Sequence, residues 1–539
     1  LSRNLNRRLF LAAVGGAASA AWLRGIRAED VHEKGLVIGQ PEAAAAGNAV
    51  LAAGGNAVDA IVTAALVAGV VAVPSTGIGG YGGHAVIAGL PGNKVTAIDF
   101  NSAAPAAFKP DQFGASETGE VPGKINMHGW LSTGVPGVLA GLQLALDKFG
   151  TKKFPDVVQP AIKFARDGFA VKKNVAGAFA AARAKLAADP GSAKLFFANG
   201  QPLAEGATYR NPDLAAMLEA LAAEGSVADF YQGKIAAKIA AAFRAGGGLV
   251  TESDLAAYKA VEVAPLTLSW NGYTIHTPPP SSGGLTVLQT LASLQAAGWP
   301  EKRDAIDQTF IESLRVAWHD RLRLIGDPKH VDVPIAKLLS TEYAKETAVR
   351  VKVAVHDKKP LRGETDGRPA GGTIHLNAVD ASGLTVALTL THGESLGAKV
   401  TVDGLGLVLG HGMSRFDPRP GRPNSPGPSK RPLHNMCPTV VTKDGAPVLA
   451  IGATGGRRIV SGLTNVLARR VGEDKSLPEA VKTPRLHTEG GLALSAEEGW
   501  AAEELKAIGY TVTKGSVSSL SAIELKRSGD KLSFNSAAR

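Results

Sequence analysis

Cysteine is almost absent. Cys437 is the one thiol in the chain, which excludes an intramolecular disulfide and any site built from several cysteines. Aromatic residues are sparse at 5%, while alanine and glycine are plentiful, a composition suited to closely packed helices and many turns. Lysine and arginine form no stripe interleaved with aromatics, so nucleic acid is a poor partner. The net charge is +10, but Arg3, Arg7, Arg8, Arg24 and Arg27 stand in residues 1–28 with no acid beside them. The remainder is only mildly basic. With 539 residues and 45% hydrophobic content, the chain can bury a large core.

Residues 1–28 resemble an export signal. Asn6-Arg7-Arg8-Leu9-Phe10-Leu11 is similar to a twin-arginine motif, and an apolar stretch from Leu9 to Leu23 follows. The segment is set aside from the fold, and the expected location is the periplasm. Twin-arginine export carries proteins already folded, which is how a protein without disulfides could reach the periplasm or be secreted, and no membrane partner is expected after export.

The chain is organised around Gly371-Gly372-Thr373-Ile374-His375-Leu376-Asn377-Ala378-Val379-Asp380. Thr373 opens an alternating run that ends at Asp380-Ala381-Ser382-Gly383, and a second β-like run from Leu384 to Thr391 follows. That pattern predicts a hairpin. A threonine hydroxyl is a poor nucleophile at neutral pH, but a free α-amine on the same residue can accept its proton. Cleavage at Gly372-Thr373 would create that amine. Gly372 has no side chain to hinder attack, and Lys358 to Gly372 is charged and glycine-rich, as a cleavable connection should be.

Elsewhere the sequence predicts a strand at Leu36–Ile38, helices at 41–53 and 60–73, and strands at 85–88 and 95–100. The run from Ala60 to Val73 is too short to span a bilayer and reads as a core helix. The glycine-dense loop from Ser75 to Gly83 lacks a Walker lysine and leads into a strand, so it reads as close backbone packing near a site. Residues 174–248 read as mostly helical, and 266–277 as a strand pair. Trp318-His319-Asp320-Arg321 reads as a solvated or ion-paired helix face. Gly406 to Met413 reads as a strand running into a turn, and Pro418 to Pro432 as irregular. A second hairpin, 438–451, ends in Gly452-Ala453-Thr454-Gly455-Gly456-Arg457-Arg458-Ile459. A glycine turn that opens a helix presents backbone amides suited to an oxyanion. His375, His392 and His411 lack the paired helical spacing of a metal site, so no metal and no cofactor is expected.

Collinear motifs now carry a resemblance over nearly all of residues 35–526. They are Leu51 to Ala60, Ser75 to Gly83, Gly134-Val135-Pro136-Gly137, Leu255 to Tyr258, Pro278 to Gly284, Thr373-Ile374-His375 with Val379-Asp380, Lys430 to Leu433, and Gly455-Gly456. In these the chain resembles the gamma-glutamyltransferase family of N-terminal nucleophile hydrolases. The resemblance implies an α+β fold, a four-layer αββα sandwich. It also implies a precursor cut into a large subunit, residues 29–372, and a small subunit, residues 373–539, which stay partners. It implies that Thr373 is the nucleophile in self-cleavage and turnover, that Thr391 assists it, and that Gly455 and Gly456 hold the oxyanion.

The departures concern the substrate. Asn101 stands where the family has an arginine for the glutamyl α-carboxylate, and Arg415 where it has an aspartate for the α-amino group. Gly393 and Gly412 replace an asparagine and a Gln/Glu, and His434-Asn435 replaces a serine pair. An arginine cannot receive an ammonium group. The expected substrate is a small amide: a γ-glutamyl-like or related carboxyacyl amide, or a non-amino-acid acyl amide of glutaryl or oxamate type. A non-catalytic, unprocessed binding protein is the alternative from another class. The short Pro418–Pro432 segment implies an open cleft.

Overall fold

The computed structural model describes residues 34–363, 372–529 and 531–539. The signal-like segment 1–28 and most of the connection before Gly372 lie outside the described residues.

Two six-stranded sheets stack face to face. The first contains β1 (Gly35–Ile38), β2 (Gly82–Leu90), β3 (Lys94–Asp99), β4 (Val261–Val263), β7 (Ile374–Asp380) and β8 (Thr385–Thr391), in the order β1-β7-β8-β2-β3-β4. The second contains β5 (Leu266–Trp270), β6 (Tyr273–Thr277), β9 (Thr439–Lys443), β10 (Ala446–Thr454), β11 (Ser519–Ser528) and β12 (Lys531–Ala538), in the order β12-β11-β10-β9-β6-β5. Every pairing in both sheets is antiparallel.

Helices cover both outer faces, giving the αββα layering. On the first sheet lie α1 (Pro41–Ala52), α2 (Ala57–Val71) and α3 (Val138–Phe149). All of α2 is buried, because its apolar residues run right round the helix. Asn56 and Asp59 form a capping box at its start, and Asp59 also accepts from the Thr151 and Lys152 backbone amides at 2.8 and 2.9 Å. On the second sheet lie α4 (Gly284–Ala297), α5 (Gln308–Leu324) and α7 (Arg458–Leu467), with α6 (Thr341–His356) packed on α4 and α5. No helix among the described residues is long and apolar enough to cross a membrane.

The expected hairpin forms, and its alternation has a specific consequence. Ile374, Leu376 and Ala378 of β7 and Val386, Leu388 and Leu390 of β8 pack with the helical core. Since strand side chains alternate, the opposite face carries Thr373, His375, Asn377, Thr389 and Thr391. That polar face is turned toward the second sheet, and its groups are paired there, as buried polar groups must be. His375 lies 2.8 Å from Thr389 Oγ1 through Nδ1 and 3.0 Å from Asn377 Oδ1 through Nε2, and Asn377 donates to the Ser521 carbonyl at 3.1 Å.

Three expectations need correction. Gly406–Met413 is hardly a strand: Leu407–Val408 pairs with Thr401–Val402, Leu409 makes one bridge to Gly79, and a 3-10 turn follows from Gly412. β2 begins at Gly82, so it takes in the end of the glycine loop rather than starting at Ala85. Trp318, Asp320 and Arg321 on α5 are buried rather than solvated.

Candidate active site

Thr373 precedes β7 and Thr391 ends β8, and the register pairs their neighbours Ile374 and Leu390. The two hydroxyls therefore meet across the hairpin: Thr373 Oγ1 donates to Thr391 Oγ1 at 3.3 Å. Thr391 Oγ1 in turn donates to the Gly372 carbonyl at 2.5 Å and accepts from the Gly393 amide at 2.8 Å. One hydroxyl thus polarises the carbonyl that precedes Thr373 while holding Thr373's own hydroxyl beside it. Thr373 is 9% exposed. A Cβ at Gly372 would meet only ordinary contacts, the nearest Pro74 O at 3.5 Å, so packing does not demand glycine there.

The glycine loop backs this pair. Gly79 O accepts from Gly410 N at 3.0 Å, and a Cβ on Gly80 would lie 3.0 Å from Thr391 O. Tyr81, missed by the sequence reading, is buried in the same place. Burial raises its pKa, opposed by the charge of Arg415 and a hydrogen bond with Thr391. The one signal was its position as the only large side chain between Gly79-Gly80 and Gly82-Gly83.

Strand β10 brings in the glycine pair. Its Ala450 packs with Ala387 of β8, and its Gly452 lies against the His375 ring, so the strand runs toward the Thr373 end of the hairpin. It ends at Thr454, followed by Gly455 (φ +121°) and Gly456 (φ +62°) and then α7. Both φ values lie where glycine is favoured. The amides that open α7 donate back into this turn, Arg458 N to Gly455 O at 3.3 Å and Ile459 N to Gly456 O at 3.1 Å.

Arg415 closes the 3-10 turn Gly412–Arg415 and is half-buried. Its Nη2 lies 3.4 Å from His411 Nε2, and 3.3 Å from where a Cβ on Gly393 would stand. The guanidinium therefore reaches back to the turn that follows Thr391. Burial, then the Arg415 charge, holds His411 well below the usual imidazole range. His434 is also held neutral by burial, reinforced by His84, Arg321, Arg415 and Arg431. Its ring stands 4.7 Å from that of His84 and 6.4 Å from that of Tyr81, and its Nδ1 accepts from Met436 N at 3.1 Å. Behind it, His84 Nε2 is 3.3 Å from Asp99, which pairs with Arg431 at 2.6 Å.

Asn101 and Asn435 sit deeper. The Asn101 amide nitrogen donates to Ser281 Oγ at 2.8 Å and to Pro432 O at 2.7 Å, while its Oδ1 has no partner. Asn435 Oδ1 accepts from Arg321 at 3.1 Å. Among the described residues no cluster of histidine, cysteine or carboxylate could hold a metal ion.

A family model described as Gamma-glutamyltranspeptidase matches residues 43–538. The chain belongs to the gamma-glutamyltranspeptidase family. It is similar to the glutathione hydrolase proenzyme of Escherichia coli K12, 36% identical over 85% of this chain and 81% of that one. It is also similar to the acylase ACY 1 proenzyme of Pseudomonas sp. V22, at 35% over 89% and 88%. Its fold matches that of cephalosporin acylase from Bacillus halodurans, with a TM-score of 0.84 over 95% of this chain and 97% of that one at 24% identity. The chain is thus an amide hydrolase or acyltransferase with the αββα fold of N-terminal nucleophile hydrolases.

In this gamma-glutamyltranspeptidase family member the guanidinium of Arg415 lies beside the turn that follows Thr391. Arg415 and the neutral rings of His411 and His434 surround the approach to Thr391, with Tyr81 between them. Thr373, Thr391, Arg415 and His434 share one region. Asn101 and Asn435 make their side-chain bonds to Ser281, Pro432 and Arg321 rather than to the threonine pair, and Gly455-Gly456 arrive from the second sheet.

Proposed function

We propose that the chain cuts itself between Gly372 and Thr373, and that the processed enzyme hydrolyses an amide whose acyl part carries a free carboxylate without an α-amine, such as a glutaryl amide. The observation that carries the first part is the Thr391 hydroxyl, 2.5 Å from the Gly372 carbonyl oxygen and 3.3 Å from Thr373 Oγ1.

In self-cleavage, Thr373 Oγ1 attacks the Gly372 carbonyl carbon, and Thr391 donates to the oxygen as it gains charge. As the Gly372–Thr373 C–N bond breaks, the proton lost from the Thr373 hydroxyl passes to the leaving nitrogen, which leaves an ester on Thr373 Oγ1 and a free α-amine. Water then hydrolyses the ester, releasing the Gly372 carboxylate. The chain becomes a large subunit, 29–372, and a small one, 373–539. In turnover the Thr373 α-amine takes the hydroxyl proton, and the amides at Gly455 and Gly456 receive the oxyanion. The substrate's amine leaves with that proton, and water or an acceptor amine attacks the acyl ester. Arg415 suits the acyl carboxylate because a guanidinium offers a charged fork that an ammonium would repel. His434 and a wall formed by Asn101 and Asn435 complete the acyl pocket. The relatives named as acylase and as glutathione hydrolase bracket this choice. A γ-glutamyl donor is the second reading, favoured by the latter.

Residues 1–28 would direct the folded precursor to the periplasm, which cell fractionation tests.

Intact mass of purified protein tests the cut: two fragments that meet at Gly372-Thr373 are expected, and one uncut chain from Thr373→Ala. A Thr373→Ala chain that still cleaves or hydrolyses would sink the mechanism. Hydrolysis of γ-glutamyl, glutaryl, succinyl and oxamyl 4-nitroanilides ranks the donors.

A further inference from the structure

Helix α5 carries a group that the reaction above does not use. Trp318 is 1% exposed, and three side chains converge on its ring. The Arg321 guanidinium stands 5.6 Å from the ring centroid, that of Arg457 stands 5.7 Å away, and the His487 ring meets it edge-on at 6.4 Å. The negative face of an indole attracts a desolvated guanidinium, so this is a preferred place for both charges.

The two arginines reach different parts of the site. Arg321 donates to the His434 carbonyl at 2.5 Å, to Asn435 Oδ1 at 3.1 Å and to the Ser282 carbonyl at 3.1 Å. It therefore holds the segment that forms the acyl wall. Arg457 directly follows Gly455-Gly456 and is tied to Glu489 at 2.5 Å. Glu489 lies 3.2 Å from His487 Nε2, and His487 Nδ1 lies 2.8 Å from Ser461 Oγ on α7. That chain ties the residue after the glycine pair and the first turn of α7 to the same Glu489–His487 pair.

We infer that Trp318 is the joint that sets the acyl wall and the oxyanion turn relative to each other, with Arg321 positioning His434-Asn435 and Arg457 positioning Gly455-Gly456. The inference rests on the roles proposed above for those two segments. The two segments flank the β9–β10 hairpin, one before β9 and one after β10, and each is a loop or turn outside its strands. A displacement of either by a fraction of an ångström misplaces substrate against nucleophile. Trp318, Arg321 and Arg457 are positioning residues, since they act through the segments they hold.

The test uses the processed full chain, with kcat and KM for glutaryl 4-nitroanilide normalised to the cleaved fraction and a thermal midpoint for each variant. Arg457→Lys should lower kcat by about 10-fold with KM within about twofold, because it disturbs only the turn that meets developing charge. Arg321→Lys should raise KM by about 10-fold with kcat within about threefold, because it disturbs only the acyl wall. Trp318→Leu should do both, and Trp318→Phe, which keeps an aromatic face, should recover most of each. Wild-type constants in both lysine variants would overturn the inference, as would equal losses in kcat and KM that track the thermal midpoint. Should Trp318→Leu fail to fold, the lysine pair decides alone. Thr373→Ala is run beside them. Its residual hydrolysis, or a wild type inert to the anilide, overturns the proposed function, whereas an inert Thr373→Ala with unchanged lysine variants overturns this inference alone.

Discussion

The His375 imidazole lies against the backbone of Gly452, so that a Cβ at Gly452 would overlap the ring. His375 follows the proposed nucleophile by two residues, and Gly452 precedes the Gly455-Gly456 pair by three. The separation between the two sheets at the site is thus set by one ring on one bare backbone. Both ring nitrogens are occupied, by Thr389 at 2.8 Å and by Asn377 at 3.0 Å, so the ring cannot swing aside without losing both bonds.

Gly452→Ala should push the sheets apart where Thr373 faces the glycine pair. Overpacking of this kind costs about 1–3 kcal/mol. The expected outcome is a lower thermal midpoint and a reduced kcat in whatever protein folds, read by calorimetry and steady-state kinetics. An alanine variant with wild-type values for both would show that the contact does not set the spacing.

Acid should destabilise the fold before the carboxylates titrate. Burial lowers the pKa of His375 to about 4, partly opposed by hydrogen bonds of Asn377 and the Leu388 backbone, and lowers that of His392 to about 3, aided by the charge of Lys399. Both are neutral in the fold but charge in the unfolded chain near pH 6.5. The stability they protect is fully present above that pH. It is lost as pH falls from 6.5 toward 4 for His375 and toward 3 for His392, at up to about 1.4 kcal/mol per pH unit for each. His375→Gln should flatten the dependence of unfolding free energy on pH between 6.5 and 4 by nearly one proton. Identical slopes in the two proteins would refute the assignment.

Thr391→Ala removes the donor to the Gly372 carbonyl. Loss of one such donor slows acyl chemistry by about 10²- to 10³-fold, so the precursor should accumulate, as a mass time course would show. Thr391→Ser should keep most of the processing rate. An alanine variant that processes normally would assign the 2.5 Å bond to packing alone.

Arg415 should decide between donors. Arg415→Met should lower kcat/KM for the glutaryl anilide by about 10- to 100-fold, the loss expected for a charge-assisted hydrogen bond of about 1.5–3 kcal/mol. Arg415→Asp should shift the ratio of γ-glutamyl to glutaryl hydrolysis upward, since a carboxylate can receive the α-ammonium. A ratio unmoved in both variants would place the donor's carboxylate elsewhere.

Much of the fold is readable in local pattern because turns and caps are local chemistry. Asn56 before α2, Pro212 after Asn211 and the alternation from Ile374 to Thr391 each announce their element within a few residues. Facing is less legible. The hairpin's polar face is buried because the second sheet covers it, and that sheet comes from strands scattered between 266 and 538. For the same reason Trp318 and Arg321 looked like a solvated helix face, although the loop at 434–435 and His487 arrive from far along the chain to cover them. Gly406–Met413 misled in the opposite sense: Leu407 and Val408 pair with a two-residue strand and Leu409 makes a single bridge to Gly79 of the glycine loop, so no longer strand forms. At the site, the hairpin pattern draws attention to Thr373, and Thr391 comes only through the family resemblance; Tyr81 comes through neither, since its neighbours there are set by backbone approach.

Both sheets are interlaced across the proposed cut. β7 lies between β1 and β8, and β8 lies beside β2, while in the second sheet β9 pairs with β6. Neither fragment owns a whole sheet, so the fragments of one molecule cannot be traded for those of another without dismantling the fold. A cell that makes both wild-type protein and an uncut Thr373→Ala copy should therefore contain no hybrids. The defective allele should be recessive, and activity should scale with the dose of the intact one.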